Sequence, residues 1–359
     1  MCYQVISIQQ ESKWIHYINN AVDADFFHTW HYHTLEKGGE PILFVYEDKD
    51  AFIAFPLVKR AIENSKHFDL TTTYGYGGPV SSKRIAELSM SFVKNFKVAF
   101  TEFMSVNKCV CVFSRLNPFL EQRPFLTDLA EPGDNGRTVY VNLTISLDEQ
   151  RAGYEKRLAR QIRQLRKEGY TIRDTQSPDD IKAFTMIYNQ NMTRLQADAS
   201  YFYSEEYFTA LLKNNQSGSK LIAIFDNGLM ICGSIVLYFR NIIRNHLSAT
   251  IESHIRKSPS KLLTDEISIL GRKLGMRYFH MGGGVGGEED SLFRFKASFS
   301  PLTLQDYTWC FIANKDAYNQ LAERQDRNSG FFPVYRTPPN TKGIILSSGE
   351  LPGSNLSDF

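Results

Sequence analysis

An Asn-Gly turn between two apolar segments places the tightest constraint on the fold of this chain. Residues 220–225 and 229–239 are mostly apolar, and an Asp-Asn-Gly turn separates them at residues 226–228. Asn-Gly favours a type I′ turn, whose twist matches that of two antiparallel strands. The sequence therefore predicts a β-hairpin in the second half. Two further apolar runs, residues 41–46 and 51–59, flank four charged residues and predict a hairpin in the first half.

The order of predicted elements repeats along the chain. Each half reads strand, helix, helix, antiparallel hairpin, strand, helix, strand. Hairpins with interspersed helices favour a mixed α/β sheet over a doubly wound parallel sheet. We therefore expect two tandem domains, one over residues 1–145 and one over residues 146–336. Residues 337–359 are rich in Pro, Gly, Ser and Asn, which predicts a disordered tail.

A basic helix opens the predicted second domain. Ser146 and Glu149 form a capping box, and the pattern predicts one helix from there to Gly169. Its apolar stripe consists of Leu158, Ile162 and Leu165. Arg160 and Arg163 belong to the basic stripe on the other face. Such a stripe is either a solvated surface or a contact for the phosphates of a substrate or tRNA.

Composition excludes several broad classes of protein. The 359 residues are 42% hydrophobic, enough for a sizeable core. The net charge of +2 gives no global field that would mark a nucleic-acid or membrane-surface binder. The longest apolar run, residues 229–239, is too short to span a bilayer. No signal peptide is recognisable, and the five cysteines have neither metal-ligand spacing nor an even count. We expect a cytoplasmic protein with no membrane span.

A glycine-rich loop is the sharpest local motif. Five of residues 282–287 are glycine, and the loop lies between a predicted strand and a predicted helix. Three of these glycines match the dinucleotide-binding pattern, but three acidic residues that would repel a pyrophosphate follow directly. The match is therefore read as chance. The loop is either a mobile connector or the lining of a cleft, in which Arg294 and Lys296 reach a phosphate or a developing negative charge.

Other candidate residues carry two readings each. Tyr74 and Tyr76, in a glycine-rich turn, are either packed tyrosines or hydroxyls presented to a substrate. His246, on a predicted strand, is either structural or a general base, since histidine titrates near neutrality. Three histidines at residues 28–33 have no carboxylate or cysteine to complete a metal site, so no metal is expected.

Several of these features together resemble the Fem-type branch of the GNAT acyltransferase superfamily, including its BioF-like acetyltransferase relatives. The features are Tyr74-Gly75-Tyr76-Gly77-Gly78-Pro79, Arg157-x-x-Arg160-x-Ile162-Arg163, Tyr207-Phe208-x-x-Leu211-Leu212, His246-Leu247-Ser248-Ala249, the glycine loop leading into Ser291-Leu292-Phe293-Arg294-Phe295-Lys296, and Phe331-Phe332-Pro333-Val334-Tyr335-Arg336. The resemblance covers residues 20–336 and implies two tandem GNAT-like domains with the acyl-CoA N-acyltransferase fold. The chain lacks the long helical hairpin arm of the longer Fem proteins.

The resemblance implies transfer of an acyl group to an amine. The donor is acetyl-CoA or, in the alternative, aminoacyl-tRNA used to build a peptidoglycan bridge. The acceptor is a cell-envelope or polysaccharide precursor, either a small molecule or a nucleotide- or lipid-linked sugar. Lys296 by analogy stabilises the oxyanion, and His246 or Asp290 is the candidate base. The candidate substrate contacts are Tyr74, Tyr76, Arg160, Arg163, Gly283, Gly284 and Arg294.

The resemblance also implies where CoA would bind. GNAT proteins hold its pyrophosphate on backbone N–H groups at a helix start, and residues 257–261 are the nearest candidate. Ser258 would cap that helix, with Ser260 beside it and Lys261 adding charge. The segment lacks the usual glycine-rich form. A non-catalytic ligand- or tRNA-binding protein remains an alternative of another class.

Overall fold

The chain crosses between two compact units twice, after Asn135 and after Leu304. The structure is a computed structural model that describes residues 3–213, 218–323 and 330–337. The first unit takes in the described residues up to Asn135 and those from Gln305 onward, and the second unit runs from Gly136 to Leu304.

The elements of the first half alternate as the sequence predicts, with a hairpin followed by a strand, a long helix and a further strand. In chain order they are β1 (Tyr3–Ser7), α1 (Glu11–Asn20), α2 (Trp30–Thr34), β2 (Glu40–Asp48), β3 (Ala51–Ala61), β4 (Phe68–Thr71), β5 (Val80–Ser81), α3 (Met90–Val106), β6 (Cys109–Leu116), α4 (Arg123–Leu126) and β7 (Gly133–Asn142). A separate 3-10 turn at Phe26–His28 precedes α2.

The second half repeats this order. Its elements are α5 (Leu147–Ala152), α6 (Lys156–Leu165), β8 (Thr171–Thr175), α7 (Pro178–Arg194), α8 (Glu205–Leu212), β9 (Gly218–Asp226), β10 (Leu229–Phe239), β11 (Ile242–Thr250), α9 (Ser260–Lys273), β12 (Tyr278–Gly282), α10 (Ser291–Ala297), β13 (Thr303–Ile312) and α11 (Lys315–Leu321). The predicted Asn-Gly hairpin is confirmed, because Asn227 and Gly228 both have positive φ, at 48° and 85°, as a type I′ turn requires.

Each unit contains a mixed sheet, as predicted. In the first unit the strand order is β1-β2-β3-β4-β6-β13, with β5 on β3, and only β4 and β6 are parallel. In the second unit the order is β8-β9-β10-β11-β12-β7, and only β11 and β12 are parallel. Aromatic side chains of α3, such as Phe96 and Phe100, fill the core of the first unit together with Trp309. In the second unit α9 packs Leu263 and Ile267 against the sheet.

The units are divided differently from the expected boundary after residue 145. Strand β7 pairs with β12, so from Gly136 onward it belongs to the second unit. Strand β13 pairs with β6, which returns the chain from Gln305 onward to the first unit. The two halves therefore exchange their final strands. Of the expected disordered tail, residues 338–359 lie outside the described residues.

The prediction of a single helix over residues 146–169 is wrong, because the structure has two helices there. The capping box of Ser146 and Glu149 is present, but α5 ends at Ala152 and α6 begins only at Lys156. Between them Tyr154 turns into the interior, where it is 6% exposed. Its hydroxyl donates to Asp265 Oδ1 at 2.9 Å. The break between α5 and α6 lets Tyr154 make this buried contact with Asp265.

Candidate functional site

A split between two parallel strands marks the candidate site in the second unit. Strands β11 and β12 pair only from Ile242 to Arg244. Beyond Arg244, β11 continues to Thr250 along β10, and no described residue of β12 pairs with it there. Because parallel strands end at the same edge of a sheet, the segments that follow β11 and β12 begin at that edge. These segments lead into the start of α9 and into the glycine-rich loop.

The start of α9 is not capped by a side chain. Its N-cap residue is Pro259, which has no side-chain hydrogen-bonding group. The expected cap by Ser258 is not made, because that hydroxyl donates to the carbonyl oxygen of Ile255 at 3.3 Å. Ser258 instead takes a left-handed φ of 52° that turns the chain into the helix. The first N–H groups of this 14-residue helix therefore have no side-chain acceptor, although Lys261 N donates to the carbonyl oxygen of Ser258 at 3.1 Å. The remaining N–H groups of the first turn favour an anion there.

Two cations lie beside this helix start. Lys261 is half-buried in the first turn of α9, and Arg157 is exposed on α6, the helix that packs against α9. Burial, followed by the charge of Arg157, lowers the pKa of Lys261. Among residues 3–213, 218–323 and 330–337, neither cation has a carboxylate within ion-pair distance. A bound anion would relieve this repulsion.

The glycine-rich loop has a fixed conformation. Gly287 has a φ of 80°, which disfavours any residue with a Cβ. A Cβ on Gly284 would overlap the carbonyl oxygen of Glu288 and the carboxylate of Asp290. Val285 N donates to Asp290 Oδ2 at 3.2 Å, which ties the loop back on itself. The loop therefore forms a tight turn that is bonded to the start of α10.

Asp290 is the N-cap of α10. Its Oδ1 accepts from Phe293 N at 2.8 Å, and its Oδ2 accepts from Val285 N. Both oxygens thus bind backbone donors, and these bonds hold the loop and the helix together. The structure places the candidate base Asp290 in this structural role.

Lys296 lies on the second turn of α10 and reaches back to the loop. Its ammonium donates to the carbonyl oxygen of Gly283 and lies 3.3 Å from the place that a Cβ on Gly282 would take. The structure thus brings three expected site residues together, namely Lys296, Gly283 and, next to it, Gly284. Arg294 is exposed, and its Nη1 donates to the carbonyl oxygen of Glu289 at 3.0 Å.

His246 lies on β11 just past the parallel pairing. Burial, and secondarily the charge of Arg244, lowers the pKa of His246 to about 3. Its imidazole is therefore neutral at physiological pH. Arg244 is buried and forms a hydrogen bond with Nδ1 of His280, directly across the parallel pair. Sequence reasoning missed Arg244 and His280, although an arginine after two isoleucines in a predicted strand is a signal of a polar contact.

Tyr74 and Tyr76 belong to the first unit, where their turn is packed. Tyr76 is 6% exposed, and the guanidinium of Arg115 lies 4.6 Å from its ring centroid. Arg115 in turn pairs with Asp306 at 2.5 Å. A Cβ on Gly75 would overlap the ring of Phe27. In the first unit these contacts fit the packed reading of the turn.

The parallel strand pair of the first unit is not split in the way that the parallel pair of the second unit is. Strands β4 and β6 are its parallel pair, but the chain after β4 stays hydrogen-bonded to β6. Thr72 N donates to Phe113 O at 3.1 Å, and Gly77 N donates to Arg115 O at 2.7 Å. Gln122 Nε2 then holds the carbonyl oxygen of Gly77 at 2.7 Å. The glycine-rich turn therefore stays bonded to β6, whereas the corresponding parallel strands of the second unit separate.

The basic face of α6 divides into two groups. Arg166, with Arg151 of α5, forms ion pairs with Asp265 at 2.6 Å. Arg160 and Arg163 are exposed, and within the part of the chain that the structure describes they form no ion pair. The first group is structural, and the second is available to a phosphate.

The described residues contain neither a cluster that could hold a metal ion nor a helix that could cross a bilayer. No group of three or more His, Cys, Asp or Glu side chains there is arranged to hold a metal ion. Nδ1 of His28 accepts from Asp25 N at 3.0 Å, and Nδ1 of His33 bonds the carbonyl oxygen of Thr29 at 2.9 Å, so these two histidines serve local backbone contacts. No described helix has the length and apolar character needed to cross a bilayer.

Comparison with known proteins gives one family match. Residues 152–296 match the acetyltransferase (GNAT) domain family. This segment contains α6, β11, the start of α9, the glycine-rich loop and Lys296, all within the second unit. No curated protein matches the chain in sequence.

Solved structures extend the likeness to both units. The crystal structure of FemX has a TM-score of 0.69 and 11% identity, over 89% of this chain and 99% of that chain. A conserved protein of unknown function from Bacteroides thetaiotaomicron has a TM-score of 0.56 and 12% identity, over 86% and 99% of the two chains. A tandem GNAT protein from the clavulanic acid biosynthesis pathway has a TM-score of 0.51 and 8% identity, over 87% and 99%. At these identities the likeness concerns the fold, and it confirms the tandem, FemX-like GNAT architecture.

Proposed function

We propose that the chain transfers an acetyl or other acyl group from acetyl-CoA to an amine. The premise is that residues 152–296 form the acetyltransferase (GNAT) domain of an N-acyltransferase. The observation that carries this proposal is the uncapped start of α9, with Lys261 and Arg157 beside it, at the split between β11 and β12. A diphosphate is the chemical group that such a helix start and two cations favour. The first N–H groups of α9, with Ser260 and Lys261, would hold the pyrophosphate of CoA.

The reaction needs no covalent enzyme intermediate. The amine nitrogen attacks the thioester carbonyl carbon, a C–N bond forms, and the carbonyl oxygen becomes an oxyanion. The C–S bond then breaks, and CoA leaves as a thiolate that takes up a proton. Lys296, at the glycine-rich loop, would stabilise the oxyanion by a charge-assisted hydrogen bond.

The ammonium proton must leave as the product forms. Of the two candidate bases, Asp290 already has both oxygens bonded to backbone N–H groups, which leaves His246. With a pKa near 3, the imidazole of His246 holds a proton only briefly. It is therefore a weak base, and we propose that solvent is the final acceptor of the proton.

The acceptor is proposed from the resemblance to the Fem-type branch. It is an amino group of a cell-envelope or polysaccharide precursor, either small or nucleotide- or lipid-linked. Exposed Arg294 and the carbonyl edge of Gly283 and Gly284 are the proposed acceptor contacts in the second unit.

We place the reaction in the cytoplasm, which agrees with the four described cysteines being free thiols.

Calorimetric titration with acetyl-CoA tests the donor. We expect micromolar binding that weakens about tenfold in Lys261→Ala, the loss of one charge-assisted contact. Lys37→Ala, which removes an exposed lysine of the first unit, is the matched control and should bind as the wild type does. If the wild type binds no acyl-CoA, the proposed donor is wrong.

Aminoacyl-tRNA is the second candidate donor, and exposed Arg160 and Arg163 favour it. A parallel titration with uncharged and aminoacylated tRNA distinguishes the two. Binding by aminoacyl-tRNA alone, falling steeply with salt and abolished by charge reversal at these two arginines, would assign peptide-bridge synthesis. Binding of a ligand without turnover of any acyl donor would instead indicate a non-catalytic protein.

A further inference from the structure

One face of α9 carries a row of polar residues at helical spacing. Lys261, Asp265, Ser268 and Arg272 follow one another along the side of α9 that meets α5 and α6. Three of the four contact those elements directly. Gln150 Nε2 donates to Ser268 Oγ at 2.9 Å, and Arg272 Nη2 donates to Gln150 Oε1 at 2.5 Å. We call this row, with its partners, the α9 seam.

Asp265 is the centre of the seam. Its side chain is 0% exposed and binds Arg151 and Arg166, each at 2.6 Å through Oδ2. Oδ1 accepts the hydroxyl of Tyr154 at 2.9 Å. Burial alone would raise the pKa of Asp265, but these bonds hold it below its ordinary value. The carboxylate is therefore ionised and ties two arginines from separate helices to α9.

Stability alone is a weak reason for such a cluster. Replacing a buried ion pair by well-packed apolar side chains is often neutral or stabilising, because desolvation offsets the attraction between the charges. What the cluster supplies is geometry. Arg151 lies on α5 and Arg166 directly follows α6, so their bonds to Asp265 hold the elements on either side of Arg157 against α9. Arg166 also pairs with Glu266 of α9 at 2.5 Å. Lys261 lies one turn before Asp265 on the same face of α9.

Lys261, at one end of the seam, and Arg157 beside it therefore carry positive charges that Asp265 does not compensate. Asp265 takes Arg151 and Arg166 and leaves Arg157 as the cation of α6 that acts on Lys261. Held together without a carboxylate, these two side chains repel each other and would separate if α6 were loosely attached.

We propose that Asp265 is a positioning residue of the acyl-donor site: its ion pairs with Arg151 and Arg166 hold α5 and the end of α6 against α9 and so keep Arg157 and Lys261 at the uncapped start of α9. The inference rests on the proposed function, since it assumes that an acyl-CoA phosphate binds there. Asp265 acts through Lys261 and is itself buried away from the donor.

Asp265→Asn tests the proposal, because asparagine keeps the size of the side chain and removes its charge. We expect the Kd for CoA to rise about tenfold and the KM for acetyl-CoA to rise with it, while kcat stays within about threefold of the wild type. In a Lys261→Ala background the same substitution should have little further effect on the Kd, because the residue through which Asp265 acts is gone.

Asp69 provides a matched control in the first unit. It is also 0% exposed and is bound by two arginines, Arg60 at 2.7 Å and Arg336 at 2.6 Å, and by the hydroxyl of Tyr335 at 3.2 Å. Asp69→Asn therefore removes the same kind of buried charge. We expect it to lower the melting temperature without changing the Kd for CoA.

The outcomes separate the two proposals. No affinity of the wild type for CoA overturns the proposed donor and this inference with it. Normal affinity of the wild type, with an unchanged Kd in Asp265→Asn or an equal rise in both backgrounds, overturns the inference alone. If Asp265→Asn does not fold, Arg166→Gln, at a side chain that is 36% exposed, replaces it, and an unchanged Kd there counts against the proposal.

Discussion

The ammonium of Lys296 donates a hydrogen bond to the carbonyl oxygen of Gly283, which holds the charge of α10 against the loop that follows β12. The loop is itself fixed, because Asp290 bonds both Val285 N and Phe293 N. A preorganised donor of this kind stabilises a developing oxyanion without having to move during the reaction.

Removal of this donor should affect the chemical step. For Lys296→Ala we expect kcat to fall about 100- to 1,000-fold, the range for loss of one oxyanion donor, with little change in KM for acetyl-CoA. Steady-state kinetics with an identified acceptor measures both constants. Lys273→Ala, at an exposed lysine near the end of α9, is the control and should behave as the wild type does. Full turnover by Lys296→Ala would exclude the proposed role.

The chain should bind one acyl-CoA, although it contains two similar units. In the first unit the chain after β4 remains bonded to β6 through Thr72 and Gly77, so the split between parallel strands is closed there. In the second unit β11 and β12 separate after Arg244. Calorimetry should therefore give a stoichiometry close to one acetyl-CoA per chain. A value near two would mean that the turn of the first unit opens to admit a ligand.

Local patterns account for the part of the fold that the sequence predicts. The Asn-Gly turn and its two apolar runs contain all the information that the hairpin of β9 and β10 needs. The exchange of β7 and β13 between the units was not predictable in this way. It depends on pairing between distant segments, such as Cys310 with Phe113, and the residues of these strands show only that they are strands.

The same distinction applies to the candidate site. Lys296 and the glycines beside it were predicted from one continuous segment, and the structure brings them together. The break at Tyr154 and the hydrogen bond between Arg244 and His280 were missed, because each depends on a partner far away in sequence. The expected cap by Ser258 failed because Pro259 follows it and becomes the N-cap residue of α9.

Stability should fall in mild acid, in part because of His33. Burial lowers the pKa of this imidazole to about 4, against about 6.5 in an unfolded chain. Between these two pH values the unfolded chain binds more protons than the folded chain, so the free energy of unfolding decreases as the pH falls from about 6.5 toward 4. Above about pH 6.5 this loss of stability is absent. The cost at pH 5 is about 2 kcal/mol for this group.

Urea unfolding at pH 7.5 and pH 5 measures this dependence. In His33→Gln we expect the difference in free energy of unfolding between the two pH values to shrink by about 2 kcal/mol. His16→Gln, at an exposed histidine of α1, should leave the difference unchanged. An unaltered pH dependence in His33→Gln would show that folding does not lower the pKa of His33.

The glycine-rich loop should tolerate no side chain at Gly284. The backbone angles of Gly284, φ −87° and ψ −176°, suit any residue, so the effect of alanine at this position is purely steric. The added Cβ would overlap the carbonyl oxygen of Glu288 and the carboxylate of Asp290, and the loop must shift. Because a displacement of about 1 Å can cost about 100-fold in rate, we expect kcat of Gly284→Ala to fall by that order.

Gly153→Ala is the comparison that isolates the steric effect. Gly153 also has a negative φ, at −78°, but a Cβ there would meet its nearest atom, the carbonyl oxygen of Gln150, at 3.3 Å. This contact needs a shift of only a few tenths of an ångström, so activity should stay within about twofold of the wild type. Equal activity in the two variants would mean that the loop conformation does not position Lys296, and the oxyanion role would then need another donor.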